Sequence, residues 1–400
     1  MDRKDAMERI RSLALAEEDR IVALRRRMHE RPEVSWEEVR TTDLIEEELR
    51  AMGATVVRRG FGGTGSGIVA EIAGARPGKR VALRADIDAL PVREENDVPY
   101  RSQVEGVMHA CGHDAHAAML LGAARMLREM EGELRGTVRL LFQPAEESAL
   151  HSGAKAMLDE GALDGVDAVF GLHVSSDYPA GVVECAPGPI MAACDRWDIV
   201  IEGKGGHGSA PEGAIDPTVA AFHIGSALHE ITSREVSPME TAVLSVGGIV
   251  TSSNVFNVIP ERVTMTGTVR TFRPEVQDTI QRAVERVASM TAKACRCEAR
   301  TEYTRQIPAT VNDPALTELL MDVARDLLGP DATIEARPIM GSEDFSYICE
   351  ALPATYAFLG TASGPATSAP HHSARFDVDE AQLWRGAALY TAFAWRALMG

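Results

Sequence analysis

Strand-like and helix-like hydrophobic patterns alternate along the first 190 residues. Val81–Ala85, Thr137–Phe142 and Ala168–Val174 are short apolar runs that predict buried strands. Glu38–Met52 and Ala115–Met130 repeat their apolar residues at helical spacing. Strands that alternate with helices predict an α/β domain in which helices cover both faces of a sheet.

The pattern changes near residue 190 and changes back near residue 304. Between these points the predicted elements follow the order βαββαβ, which is typical of a small ferredoxin-like sandwich. These elements are Trp197–Ile201, Thr218–Ser233, Ala242–Val250, Val258–Thr271, Pro274–Ala294 and Glu298–Thr304. The first pattern then resumes and ends in a helix over Glu380–Met399. We therefore predict one domain from residues 1–190 and 304–400, with a second domain, 191–303, inserted into it.

Composition and charge exclude several classes of partner. The chain has 400 residues, is 45% hydrophobic and carries a formal net charge of −18. A nucleic acid or an anionic membrane surface attracts basic proteins, so neither is expected as a partner. The sequence contains no apolar run of about 18 residues, so no membrane span is expected. Its first 20 residues are rich in charged side chains and lack the apolar core of a secretory signal. Six scattered cysteines indicate a reducing, cytoplasmic location.

The densest group of polar residues is the segment His109-Ala-Cys-Gly-His-Asp-Ala-His116, directly before a predicted helix. Cys111 and His113 are ligand types suited to zinc, manganese or nickel. The alternative is a capped helix start, with Asp114 as the cap and histidines present by chance.

Further candidate ligands follow the predicted strands. Glu146 and Glu147 come after TVRLLF, His173 ends AVFGLHV, and His371 and His372 precede the final helix. Strand ends in α/β sheets commonly carry ligand sites. Each residue alone has an ordinary structural explanation, but together they suit two metal ions and an activated water.

Asp86 and Asp88 follow the strand VALRA. A carboxylate at this point would orient a metal-bound histidine, although an ordinary loop aspartate explains the position equally well.

Several strings together resemble metallopeptidase family M20, in the amidohydrolase branch that includes N-acyl-amino-acid amidohydrolases, hippurate hydrolases and the plant hydrolases of indole-acetyl amino acids. They occur in family order along nearly the whole chain. The strings are RRRMHERPEVSWEE, ALRADIDALPV, MHACGHDAHAAMLLGAA, LLFQPAEES, FGLHV, GKGGHGSAPEGAIDP, NVIPERVTMTGTVRTF, MGSEDFSY and HHSARFD.

The resemblance implies a catalytic domain with an inserted lid that also dimerises, giving a homodimer or homotetramer. It implies two divalent ions per subunit, whether zinc, manganese, nickel or cobalt. The implied metal ligands are Cys111, His113, Glu147, His173 and His372. Glu146 is implied as the general base, an order of the two glutamates that spacing alone does not give. The expected reaction is hydrolysis of an N-acyl amino acid to a carboxylate and a free amino acid.

Three residues of the inserted domain match substrate-contacting positions of the family. His207 in GGHGS is implied to stabilise the oxyanion formed on the substrate carbonyl, often in the partner subunit's site. Asn257 and Arg270 are implied to hold the substrate, and Arg270 suits a carboxylate. In the structural alternatives, His207 braces a glycine-rich turn and Arg270 forms an ion pair within the inserted domain.

The sequence departs from the family in two blocks. The last block usually reads Leu-His followed by Asn or Ser and then Pro, but here it reads His371-His372-Ser-Ala. We assign His372 because it keeps the spacing to Phe376. Residues 148–153 replace a glycine-rich stretch near the expected pocket, which predicts a substrate specificity different from that of better-known members. His151 is a candidate lining residue of that pocket, although a position on the loop surface explains it better.

Other activities remain open at this point. A dipeptidase or carboxypeptidase-like enzyme would use the same site on short peptides. A metal-binding protein without catalysis would not need Glu146. A cysteine hydrolase would use Cys111 as nucleophile and His113 as base, but it leaves the two glutamates and the other histidines without a role.

Overall fold

A computed structural model describes residues 2–148 and 150–399, which form two compact units. The larger unit, named the catalytic unit here because it carries the residues predicted to act in catalysis, covers the chain up to Ile190, then Thr310–Arg337, and the chain from Asp344. The inserted unit covers Met191–Ala309 together with Pro338–Glu343. The short return of the chain to the inserted unit at 338–343 was not predicted from the sequence.

The elements below are numbered along the chain. The helices are α1 (Arg3–His29), α2 (Val39–Ala51), α3 (His113–Glu129), α4 (Gly153–Asp159), α5 (Pro217–Arg234), α6 (Pro274–Ala294), α7 (Pro314–Leu328), α8 (Ser346–Ala351) and α9 (Leu383–Met399). The strands are β1 (Thr55–Arg59), β2 (Ile68–Ala73), β3 (Arg76–Asp86), β4 (Arg135–Gln143), β5 (Ala168–Pro179), β6 (Val183–Cys185), β7 (Gly188–Met191), β8 (Ala193–Glu202), β9 (Gly206–His207), β10 (Ala242–Thr251), β11 (Val258–Ile259), β12 (Arg262–Thr271), β13 (Glu298–Ile307), β14 (Thr310–Asn312), β15 (Thr333–Glu335) and β16 (Ala354–Ala362).

The catalytic unit contains an eight-stranded sheet with the order β1-β2-β4-β3-β5-β16-β6-β15. Its four central strands, β4, β3, β5 and β16, run parallel. Asp86 at the end of β3 lies opposite Gln143 at the end of β4. The segments that follow these strands therefore start from one edge of the sheet, where ligand sites form.

Helix α3 lies in the centre of the catalytic unit's core, between α1, α9 and the sheet. Nearly all of its residues are buried, including Met119 and Leu120. The helices approach closely at two glycines. A Cβ added at Gly122 would come 2.7 Å from the Ile21 side chain, and one at Gly386 would come 2.0 Å from Met119 Sδ. This packing fixes the position of the α3 N-terminus, which carries Cys111 and His113.

The inserted unit has its own sheet and core. Its main elements follow the order β8-α5-β10-β12-α6-β13, and its antiparallel sheet has the order β10-β12-β8-β13. Trp197 and Ile199 of β8 pack against α5 and α6 in a separate hydrophobic core. The predicted fold class, an α/β sheet domain with an inserted βαββαβ domain, is confirmed.

Two details of the inserted unit differ from the sequence prediction. The single strand expected over 258–271 is broken into β11 and β12 near Pro260, which lacks the backbone N–H that a continuous ladder needs. Strand β13 continues to Ile307, past the predicted boundary at 303, because its pairing with β8 extends through a bulge to Cys194.

No helix in residues 2–148 and 150–399 is long and apolar enough to span a membrane.

Candidate metal centre

A left-handed glycine turn places the first two candidate ligands. Gly112 has φ of +87°, and a Cβ on this residue would lie 2.4 Å from Val174 Cγ2. Only glycine adopts this conformation without strain and leaves room for the neighbouring strand. The turn sets Cys111 against β5, so that its Sγ lies 3.5 Å from His173 Nε2.

The six residues predicted as ligands or base come together in three overlapping groups. In each group the potential ligand atoms all lie within 4.8 Å of one another. The groups are Cys111 with His113 and His173, Cys111 with Glu147 and His372, and His113 with Glu146 and Glu147. Because Cys111, His113 and Glu147 each belong to two groups, the arrangement offers neighbouring cation positions rather than a single one.

The surroundings of His113 favour a positive charge at its ring. Its Nδ1 lies 3.1 Å from Asp88 Oδ1. Its buried Nε2 has no hydrogen-bond partner and lies 3.9 Å from Glu146 Oε2. Burial lowers the pKa of His113, but Asp86 and Asp88 outweigh it and raise the pKa to about 10. An unpartnered buried nitrogen facing a carboxylate fits a metal cation between them.

His173 and His116 have different tasks although their rings lie 4.4 Å apart. Both nitrogens of His116 are occupied, since Nδ1 lies 2.5 Å from Asp86 Oδ1 and Nε2 accepts the Val174 N–H at 2.8 Å. His173 Nδ1 lies 2.5 Å from the Val174 carbonyl, which leaves Nε2 towards Cys111. His116 therefore has no nitrogen left for a metal ion and stabilises the site through Asp86 and the Val174 backbone, whereas His173 offers Nε2 as a ligand atom.

Asp86 at the end of β3 contacts His116, and Asp88 just beyond it contacts His113. Asp88 Oδ2 also accepts hydrogen bonds from Ser35 Oγ at 2.7 Å and from the Glu147 N–H at 3.0 Å. Asp88 thus links one candidate ligand to the backbone of another.

The Cys111 thiol is poorly placed to act as a nucleophile. Burial raises its pKa well above the ordinary value, and the nearby Glu147, Glu146 and Asp86 raise it further. Sγ contacts His173 and, at 3.7 Å, His371 Nδ1. Burial lowers the pKa of both of these histidines, that of His371 to about 3, so neither would keep a proton taken from the thiol. A cation beside Cys111 would instead stabilise the thiolate.

The loop of His371 and His372 closes the site on another side. The His372 N–H donates to the Ala110 carbonyl at 2.8 Å, and His372 has φ of +64°. His372 Nε2 lies 3.1 Å from Glu147 Oε1, which places it in a ligand group. His371, which we did not assign from the sequence, also contacts the site through Cys111.

The sequence analysis missed residues that hold the loop carrying Glu146 and Glu147. Asp344 accepts hydrogen bonds from Arg84 Nη2 at 3.0 Å, Gln143 Nε2 at 2.9 Å and Ser152 Oγ at 2.7 Å. Glu38 Oε1 accepts the N–H of Ala145, which precedes Glu146 and has φ of +52°. Asp344 lies in the string MGSEDFSY, so the family resemblance could have singled it out. Nothing in its spacing reveals contacts with residues 192 to 260 positions earlier.

The candidate residues of the inserted unit are described by their local contacts. His207 in β9 pairs with Val258 in β11, and its Nδ1 lies 2.8 Å from Ser209 Oγ. The Asn257 carbonyl accepts the Gly208 N–H at 2.7 Å, so His207 and Asn257 are neighbours. Arg270 lies on β12 and donates to the Val269 carbonyl and to Thr268 Oγ1.

Comparisons with known proteins show the family to which the chain belongs. A model of Peptidase family M20/M25/M40 matches residues 82–396. Thermostable carboxypeptidase 1 of Saccharolobus solfataricus is 40% identical over 395 residues, which cover 98% of each chain. N-acetyl-L-cysteine deacetylase of Bacillus subtilis is 40% identical over 366 residues, which cover 92% of this chain and 85% of that one. The solved Bacillus subtilis YXEP protein, a dinuclear metal-binding peptidase from the M20 family, has a TM-score of 0.85 at 35% identity and covers 96% of this chain and 99% of that one.

Proposed function

The chain belongs to peptidase family M20/M25/M40 and hydrolyses amide bonds, and from this premise we propose that its substrates are N-acyl amino acids. The products would be a carboxylate and a free amino acid. The observation that carries the proposal is the convergence of Cys111, three histidines and two glutamates at one edge of the sheet. The 40% identity with N-acetyl-L-cysteine deacetylase supports the substrate class.

We infer that the site holds two divalent ions. Cys111, His113, Glu147, His173 and His372 would hold them. Such ions, when bound, polarise the substrate carbonyl and lower the pKa of a water to about 7. The ligand types suit zinc, manganese, nickel or cobalt.

The chain's own residues account for the proton transfers. Glu146 lies beside His113 and is positioned by the loop that Glu38 and Asp344 hold. We assign Glu146 as the general base that takes a proton from the attacking water and passes it to the leaving amine.

We assign the substrate contacts to three residues of the inserted unit. His207 would stabilise the oxyanion that forms on the carbonyl, and Asn257 and Arg270 would hold the amino-acid part of the substrate. The inserted unit would serve as a lid and as the dimer contact of a homodimer or homotetramer.

A cytoplasmic location is supported by six free cysteines, the state expected in a reducing compartment.

A carboxypeptidase or dipeptidase activity is the second candidate. It is favoured by the 40% identity with thermostable carboxypeptidase 1 over 98% of both chains. The same metal centre would serve both reactions, so the pocket alone would distinguish them.

Matched substrates separate the two activities. The purified enzyme, loaded with manganese or zinc, is given N-acetyl-methionine and alanyl-methionine, and methionine release is measured. We expect kcat/KM to be higher for the N-acetyl substrate. A higher value for the dipeptide would favour the peptidase activity, and hydrolysis of neither across a panel of amino acids would refute the proposed substrate class.

A further inference from the structure

A cavity of about 370 Å³ lies between the end of α1 and the start of α2, within the catalytic unit. Three arginines line it: Arg27 in the last turn of α1, Arg31 just beyond that helix and Arg40 in the first turn of α2. These arginines are separate from the candidate metal ligands and from the residues that support them. The cavity is therefore a distinct feature of the catalytic unit.

The cavity is cationic although the chain carries a net charge of −18. Glu30 is the acidic residue in its lining, which leaves two net positive charges. The nearest carboxylates do not form close pairs with the arginines. Arg27 Nη1 lies 3.8 Å from Glu48 Oε1, and Glu48 also pairs with Arg20.

The other two arginines are also poorly neutralised. Arg40 Nε lies 3.7 Å from Glu33 Oε1, while both oxygens of Glu33 accept backbone N–H groups at the start of α2. Arg31 forms no ion pair with any residue that the structure describes. An anion with more than one charge would supply the missing partner.

The remaining wall of the cavity is partly apolar. Met28 is buried and Leu44 is half-buried, and both face this space. The volume falls within the range of small-molecule sites and leaves room beside a phosphate for an organic group. Guanidinium groups match the oxygens of phosphate, and a dianion balances two net positive charges.

We propose that this cavity binds the phosphoryl group of a small molecule, either inorganic phosphate or a small phosphomonoester. Arg27, Arg31 and Arg40 contact the phosphoryl oxygens, and Met28 and Leu44 contact the attached organic group when one is present. The site does not depend on the proposed reaction at the metal centre.

Calorimetric titration of the full-length protein, as isolated, tests the proposal. Inorganic phosphate and glycerol 3-phosphate are titrated separately at an ionic strength held constant with sodium chloride. Arg31→Gln removes one exposed guanidinium from the cavity. Arg50→Gln is the matched control, because Arg50 lies on the same helix as Arg40, pairs with Glu46 and does not line the cavity.

We expect one phosphoryl site per chain whose affinity falls at least tenfold in Arg31→Gln and in Arg40→Gln but is unchanged in Arg50→Gln. Tighter binding of glycerol 3-phosphate than of phosphate would identify an organic phosphate as the ligand, and equal binding would identify phosphate itself. Absence of binding, or binding that survives unchanged in both cavity variants because it occurs elsewhere, would overturn the proposal. Circular dichroism of each variant checks that it is folded.

Discussion

At the scale of single residues, the site depends on a tight left-handed turn into which only glycine fits without strain. Gly112 separates Cys111 from His113 and combines a left-handed φ with close contact to Val174. A methyl group here would push the two candidate ligands away from β5, or force β5 itself to move. The metal centre thus depends on the absence of a side chain as much as on its ligands.

Gly112→Ala should therefore lower both metal affinity and stability. The left-handed alanine and the contact with Val174 together should cost roughly 2–4 kcal/mol of unfolding free energy. Metal affinity, measured by titration with a competing chelator, should fall at least tenfold. Gly106→Ala is the control, because Gly106 is also left-handed but an added Cβ would meet no neighbouring atom. This substitution should cost only about 1–2 kcal/mol of unfolding free energy and leave metal affinity unchanged. Equal metal affinities in the two variants would contradict the role given to Gly112.

The sequence identified the chemically distinctive residues but not those that hold them. Cysteine, histidines and paired glutamates at strand ends predicted a metal site only when taken together, and the role of each residue was implied by the resemblance to the family. Asp344 and Glu38 are acidic residues of a kind found throughout the chain, and their roles arise from contacts across 190 and 107 positions respectively. The order of Glu146 and Glu147 likewise depends on how the loop is folded, which spacing does not reveal.

At the scale of elements, a buried ion cluster joins α1 to the start of α3. Arg25 is fully buried and lies 2.8 Å from Asp114, 2.8 Å from Asp377 and 3.2 Å from Glu380. His29 Nδ1 lies 2.7 Å from the same Asp114. Asp114 directly follows His113, so this cluster holds the first turn of α3 against α1.

Arg25→Gln should destabilise the protein by about 3–5 kcal/mol, because it leaves buried carboxylates without their cation. Denaturant unfolding measures this loss. The neighbouring Arg26→Gln removes an exposed guanidinium that also pairs with Glu380, and it should cost at most about 1 kcal/mol. Equal losses of unfolding free energy in Arg25→Gln and Arg26→Gln would contradict the stabilising role given to the buried cluster.

The sequence predicted the central elements better than the peripheral ones. The buried parts of strands β3, β4 and β5 coincide with the short apolar runs that predicted them. The exposed strand β1 (TVVRR) and the two-residue strands β9 and β11 have too little pattern to be recognised. Strand β1 pairs with the next strand, β2, and β9 pairs with β11 in a separate segment of the chain. The few residues within each of these strands do not indicate which partner it has.

At the scale of the whole molecule, the inserted unit has an exposed sheet edge. Strand β10 lies at the end of its sheet and pairs only with β12 among the described strands. Ile249 and Val250 are 45% and 68% exposed on this strand. An exposed apolar edge strand is a ready surface for pairing with a second copy of the chain, which supports the proposed dimer.

Val250→Lys should therefore weaken the dimer. Light scattering coupled to size-exclusion chromatography should give two or four times the chain mass for the wild type and a concentration-dependent shift towards a smaller mass for Val250→Lys. Val57→Lys places the same charge on β1, an edge strand of the other sheet where Val57 is 51% exposed, and it should leave the mass unchanged. A monomeric wild type, or an unaffected Val250→Lys dimer, would contradict this interface.

The most direct test of the account is to measure metal content and N-acyl amino acid hydrolysis together in the wild type and in two adjacent variants. The wild type should bind two ions per chain, lose activity when they are removed and regain it when they return. Glu146→Gln should keep both ions yet lose activity by about 10²–10⁴-fold, whereas Glu147→Gln should lose metal as well as activity. Full activity in the metal-free wild type, or unchanged activity in Glu146→Gln, would contradict the proposed metal-assisted mechanism.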